Sequence, residues 1–345
     1  MLHGHGDDLY AHPDIAVNFS SNVYNGFNHN GLFDHLSRHL SAVTHYPAPT
    51  ASRLEAALAR HLNLAPEQVL VTSGATEAIY LIAQAYGGGR SCILTPTFAE
   101  YADACRIHHH TVTERSVLTG VPCPELLADE KHSDLIWLCN PSNPLGTTDS
   151  PEQMRHLARH HAESILVIDA SYAPFTDQPL LSPAEAVTLP NVLMLHSMTK
   201  RFAVPGLRLG FVTACATLLQ RLRGQQMPWS IGSLAQEAGL YLLEHEQDYP
   251  LPLALLRQES QRVAEAFREM GIDVHSSHTH ILLCQLPQGT AAQLKQHLCQ
   301  QHSILIRDAA NFHGLTPAHF RIAVQSPQEN DELLAAVADY LNAKS

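Results

Sequence analysis

Short apolar runs rich in β-branched residues recur through the first two thirds of the chain, separated by stretches with helical spacing. The runs lie at residues 69–72, 92–94, 135–138, 165–168, 192–195 and 209–212. Most are apolar throughout rather than alternating, the pattern of strands covered on both faces. Between them, 76–85 places Ile79, Ile82 and Ala83 on one helical face. A second helix is predicted over 151–162, with Ser150 as N-cap and Pro151 at the first helical position. Strands alternating with helices predict parallel strands joined by crossovers.

Beyond about residue 240 the pattern changes. A long helix over 251–270 leads to a strand at 281–284, a helix at 291–300, strands at 304–306 and 320–324, and a last helix over 329–341. The predicted fold class is therefore α/β. A large domain over 36–240 carries a mostly parallel central sheet flanked by helices, and a smaller α+β domain spans 241–345. Residues 1–35 read as an arm that joins the small domain and the site entrance. The functional site is expected in the cleft between the domains.

A chain of 345 residues has the length of about two domains. Its 21 Lys and Arg against 33 Asp and Glu give a formal charge of -12, which argues against sequence-independent nucleic-acid binding. An anionic small substrate stays open, because a few arginines in a cleft set the local field. No apolar run approaches the roughly 18 residues of a membrane span, and the first residues lack a signal-peptide pattern, so a cytoplasmic protein is expected. Seven scattered cysteines without a Cys-x-x-Cys read as reduced thiols. The 24 histidines, with runs such as His108-His109-His110, read as solvated surface, and so does Met1-Leu2-His3, although a free amine there offers copper or nickel a chelate. No metal site is predicted.

The sharpest local signal is Ser197-Met198-Thr199-Lys200 followed by Pro205-Gly206-Leu207-Arg208-Leu209-Gly210, directly after a buried-strand pattern. A lysine at the edge of a core loses its proton more easily and becomes a nucleophile towards an aldehyde. Ser197, Thr199 and Arg208 supply groups that bind phosphate. Taken alone, Lys200 reads as a surface lysine in a polar loop. The neighbouring features change that balance. Ser73-Gly74-Ala75-Thr76 sits between a strand and a helix, where backbone N–H groups receive phosphate. Asp169 closes a strand, a place where Asp is more often a cap or turn residue but where it also pairs with a protonated pyridine nitrogen. Tyr172 and Asn143 offer hydrogen bonds to a phenolic oxygen, and Phe98 offers a face for stacking. Together these are the parts of a pyridoxal-5′-phosphate (PLP) site.

The same residues resemble the fold-type I aminotransferase family, in the branch containing histidinol-phosphate aminotransferase, over about residues 18–339. The resemblance implies that Lys200 holds PLP as a Schiff base and that Arg208 binds the cofactor phosphate. Asp169, Tyr172, Asn143, Phe98, Ser197, Thr199, Ala75 and Thr76 take the remaining cofactor contacts. Tyr46, in His45-Tyr46-Pro47, matches a tyrosine that reaches the neighbouring subunit's cofactor phosphate, implying a homodimer with shared sites. Arg321 matches the arginine that grips the substrate carboxylate. A narrower resemblance, to the L-threonine-O-3-phosphate decarboxylases of cobalamin biosynthesis, rests on Pro96 to Tyr101, on Gln226-Met227-Pro228-Trp229-Ser230, on Leu305 to Asn311, and on His5-Gly6 ahead of Asn18 to Asn22. It implies a small phosphorylated amino acid as substrate, with Arg307, Arg321, Asn22 and His5 as its contacts. Asn25 replaces the family's usual proline, and the loop usually read NPNNPTG is Asn140-Pro141-Ser142-Asn143-Pro144-Leu145-Gly146 here. Two other readings compete: an aminotransferase acting on histidinol phosphate or a similar amino acid, and a binding module that has lost catalysis. The second would be marked by loss of the lysine or the strand-end aspartate, and both are present.

Overall fold

The computed structural model describes residues 7–343. Its strands, in chain order, are β1 (Val17–Asn18), β2 (Val69–Thr72), β3 (Arg90–Thr95), β4 (Thr111–Ser116), β5 (Leu135–Cys139), β6 (Ile165–Asp169), β7 (Val192–Ser197) and β8 (Gly210–Ala214), then β9 (Asp273–Val274), β10 (Ile281–Gln285), β11 (Ile304–Leu305), β12 (Arg307–Asp308) and β13 (His319–Ala323). Seven of them form the central sheet in the order β2-β8-β7-β6-β5-β3-β4. Strands β4, β3, β5, β6 and β7 are parallel. The apolar residues of β3, β5, β6 and β7 are buried against helices on both faces, as their apolar runs require.

Two features depart from the sequence expectation. Strand β8, expected to be parallel, runs antiparallel to both β2 and β7, with Ser197 paired to Gly210. Only 12 residues, 198–209, join β7 to β8. They hold the short helix Met198–Arg201 and a single 3-10 turn, Pro205–Leu207, rather than a helix that crosses the sheet. A hairpin-like return is the outcome. Strand β4 carries no long apolar run; Thr-Val-Thr-Glu-Arg-Ser alternates exposed and half-buried positions at the sheet edge. An edge strand with one solvated face shows that pattern.

The helix Gly74–Ala85 follows β2 and buries Ala78, Ile79, Leu81, Ile82 and Ala83. The helix Pro151–His160 carries the predicted cap: Ser150 Oγ accepts from Gln153 N, and Gln153 reaches back to the Ser150 N–H at 2.7 Å. In the C-terminal part, β12-β13-β10-β9 form an antiparallel sheet against the helices Leu253–Glu269, Ala291–His302 and Pro327–Asn342. Near the N-terminus, β1 adds to this part by pairing in parallel with β11. No described helix is long and apolar enough to cross a membrane.

Candidate active site

A cavity of about 250 Å³ opens at the carboxyl ends of the central strands, against the small antiparallel sheet. Lys200 lines it from the short helix Met198–Arg201, which starts directly after β7. Thr199 N donates to Leu209 O at 3.3 Å, tying this turn to the start of β8. Burial pushes the Lys200 ammonium down to about 8 from an ordinary value of 10.5. Arg321 and Arg208 push the same way, while Asp7 and Asp169 oppose them.

The floor of the cavity is an anion cradle. Ala75 and Thr76 lie in the first turn of Gly74–Ala85 and line the cavity, together with Ser197, Thr199 and Arg208. Ser197 and Thr199 hydroxyls share a hydrogen bond of 2.7 Å. Gly74 has φ +75°, and a Cβ there would lie 2.7 Å from Arg208 Nη2. A Cβ on Gly210 would lie 2.6 Å from the Ala75 backbone nitrogen. Glycine at these two positions lets the strand, the helix start and the guanidinium close around one anion.

Asp169, at the end of β6, is buried. Its Oδ2 accepts from the Tyr101 hydroxyl at 2.6 Å and its Oδ1 from Ser171 N at 2.9 Å. Tyr101 is itself buried and stacks on Trp137 with ring centroids 5.5 Å apart. Burial and the neighbouring carboxylate hold its phenol far above the usual range, so it stays a donor. Tyr172 accepts from Asn22 Nδ2 at 2.5 Å, which leaves its own hydroxyl proton to be given elsewhere. Burial likewise raises the Tyr172 phenol. Asn143 Oδ1 accepts from Arg321 Nη1 at 2.8 Å, leaving its amide NH₂ as a donor. Phe98 lines the same cavity.

Two arginines enter from the small sheet. Arg307 on β12 and Arg321 on β13 face each other as register partners, and both are buried. Arg307 donates to Asn311 Oδ1 at 2.7 Å and lies 5.4 Å from the Phe312 ring centroid. Arg321 also donates to Ser20 O, and its Nε has no partner among the described residues. Burial lowers both guanidinium values, that of Arg321 to about 10, and for Arg321 the Arg307 charge adds to the effect. Two desolvated cations facing one cavity call for an anionic occupant.

Thus Ala75, Thr76, Phe98, Asn143, Asp169 and Tyr172 share one cavity with Ser197, Thr199, Lys200 and Arg208, and with Asn22, Arg307 and Arg321. Tyr46 is outside it: 87% exposed, it packs 5.6 Å from Trp229, whose indole N–H donates to Pro47 O at 3.1 Å. The Met-Pro-Trp-Ser stretch is thus an exposed turn whose Trp229 holds the Tyr46 segment. His5 lies outside the described residues. Sequence reasoning missed Tyr101 as the partner of Asp169, and it missed Asp7, which lines the cavity and accepts from Asn18 Nδ2 at 2.5 Å. Tyr101 had one readable signal, its place three residues after Phe98 on the start of a helix.

The residues present fit PLP. A lysine of lowered proton affinity faces a buried carboxylate, and a glycine-shaped cradle with an arginine takes a phosphate. Asn22 Oδ1 and Arg321 Nε remain buried without described partners, as groups awaiting a ligand would be.

Comparison with known proteins agrees. Residues 14–337 match the family described as aminotransferase class I and II. A threonine-phosphate decarboxylase from Salmonella typhimurium is 30% identical over 344 residues, covering 95% of this chain and 92% of that protein. A histidinol-phosphate aminotransferase from Desulfitobacterium hafniense is 26% identical, covering 90% of this chain and 88% of that protein. The crystal structure of L-threonine-O-3-phosphate decarboxylase from Porphyromonas gingivalis superposes with a TM-score of 0.91 at 35% identity, over 94% of this chain and 99% of that one. The chain belongs to the class I and II aminotransferase family and is a PLP-dependent enzyme.

Proposed function

We propose that this enzyme decarboxylates L-threonine O-3-phosphate to (R)-1-amino-2-propanol phosphate, a reaction serving cobalamin biosynthesis. The observation that carries the proposal is the facing pair Arg307 and Arg321, which gives one cavity two cationic grips beside the phosphate cradle. A substrate with a carboxylate and a phosphate fills both. The similarity to the two decarboxylases supports the same reading.

PLP, when bound, supplies an aldehyde for the substrate amine and a ring that takes up the electron pair of a broken Cα bond. Lys200, Asp169, Tyr172 and Asn143 would hold it, with Ala75, Thr76, Ser197, Thr199 and Arg208 on its phosphate. Phe98 would stack on its ring. Arg321 orients the substrate carboxylate, and Arg307 takes the substrate phosphate, with Asn22 beside them. The Cα–carboxylate bond breaks and CO₂ leaves. Lys200, with its proton affinity lowered towards neutrality, delivers a proton to Cα. The proton given to Cα is replaced from solvent, so the step consumes one proton overall and needs no second organic substrate. The exposed Tyr46 and Trp229 support a homodimer in which Tyr46 completes the partner subunit's phosphate cradle.

The test is turnover of L-threonine O-3-phosphate by the holoenzyme with no keto acid present. Steady release of CO₂ and amino-alkyl phosphate is expected. A single half-reaction that stops until a keto acid is added would make the enzyme an aminotransferase, with histidinol phosphate the first substrate to try.

A further inference from the structure

Away from the cavity, the helices Asn30–Arg38 and Ser233–Glu244 bring three ligand-type side chains together. One nitrogen each of His35 and His39 and one oxygen of Glu237 all lie within 4.8 Å of one another. We propose that His35, His39 and Glu237 form a binding site for a borderline divalent cation of the zinc class, with water completing the coordination. Two imidazoles and a carboxylate are a recurrent zinc ligand set that leaves one position open.

Five observations support this. His35 and His39 are four residues apart, so both rings leave the same helix face. Their rings stack with centroids 4.2 Å apart. His39 Nδ1 donates to His35 O at 2.8 Å, which fixes the tautomer and leaves Nε2 as a lone-pair donor. His35 Nε2 is buried and has no hydrogen-bond partner among the described residues. A buried imidazole nitrogen without a partner calls for an occupant. The pair also sits at the helix C-terminus, where the macrodipole favours a cation.

The surroundings set the strength of binding. Glu237 is paired through Oε1 with Arg53 at 3.2 Å, and that arginine is largely exposed. Arg38 also places positive charge near His35. A tetrahedral ion with bonds of about 2.0–2.1 Å needs the three atoms closer than 4.8 Å, a change that side-chain rotation of half-buried residues supplies. A second trio, His297, His302 and Asp339, is already satisfied: both imidazoles contact the same carboxylate oxygen, at 3.1 and 3.2 Å.

The experiment is calorimetric titration of zinc into chelator-treated, dialysed, PLP-loaded enzyme. Zinc is the probe because two imidazoles and a carboxylate are a recurrent zinc ligand set. A saturable equivalent is expected, weakened at least about tenfold in H39A and in the near-isosteric E237Q. H297A/H302A should retain it. Zinc should also raise the thermal midpoint of the wild type but not of E237Q. Wild-type binding in both H39A and E237Q would overturn the proposal. So would a wild type whose zinc binding disappears entirely in H297A/H302A.

Discussion

The Asn143 side-chain oxygen accepts a hydrogen bond from the Arg321 guanidinium at 2.8 Å, joining the loop after β5 to the middle of β13. In the proposed roles, one arginine would grip the substrate and also aim an amide at the cofactor. Arg321→Gln removes the charge and the aim together. Loss of one charged hydrogen bond is worth about 1.5–3 kcal/mol, so kcat/KM should fall roughly ten- to hundredfold or more. The bound cofactor's absorption should shift as well. Asn143→Ala should reproduce the spectral shift with a smaller rise in KM. Steady-state kinetics and spectra of both variants check this; an Arg321→Gln spectrum identical to wild type would refute the coupling.

If Lys200 holds the cofactor, it must be unprotonated to attack the aldehyde, and its value is lowered from 10.5 to about 8. In the apoenzyme, capture of added PLP should therefore accelerate about tenfold per pH unit up to about pH 8 and level off above it. An unshifted lysine would go on accelerating to above pH 10. Stopped-flow absorbance from pH 6 to 10 distinguishes the two. Lys200→Ala should show no covalent capture at any pH.

Tyr101→Phe deletes the 2.6 Å bond to Asp169 and keeps the ring stacked on Trp137. The expected loss in kcat is about ten- to a hundredfold, the range for a hydrogen bond to a charged group. KM for the substrate should barely move, because Tyr101 acts through Asp169. A KM effect larger than the kcat effect would place Tyr101 on the substrate instead.

If Tyr46 serves the partner subunit, Tyr46→Ala and Lys200→Ala chains should each be poorly active alone and complement when mixed. Heterodimers would carry one site with both lesions and one intact site. Random subunit exchange then restores about a quarter of wild-type activity. No recovery after verified exchange would mean that each subunit's site is self-contained.

The residues of the site differ in how far sequence exposes them. Lys200 and Asp169 stand at or just after strand ends and Arg208 just before a strand, all within short motifs, so local chemistry reveals them. Strand positions 135–139 and 165–169 are legible for the same reason: burial on both faces leaves an unbroken apolar run. The Asn143–Arg321 bond spans 178 positions and the Tyr101–Asp169 bond spans 68, and neither partner's neighbours encode the other. Strand β4 escaped because its edge position leaves half its residues solvated. The direction of β8 escaped because an apolar run looks the same read either way.

That antiparallel return has a mechanical consequence. Ser197 and Gly210 are register partners, so residues 198–209 form a closed loop pinned at both ends. Lys200 sits near one end of it and Arg208 near the other. In the proposed roles, the covalent tether and the phosphate anchor would be the two jaws of one caliper, with the spacing of their backbones set by the β7–β8 pairing. A shift of either backbone position would carry the other with it, so the span offered to a bound cofactor would be measured by paired strands rather than by two separate loops.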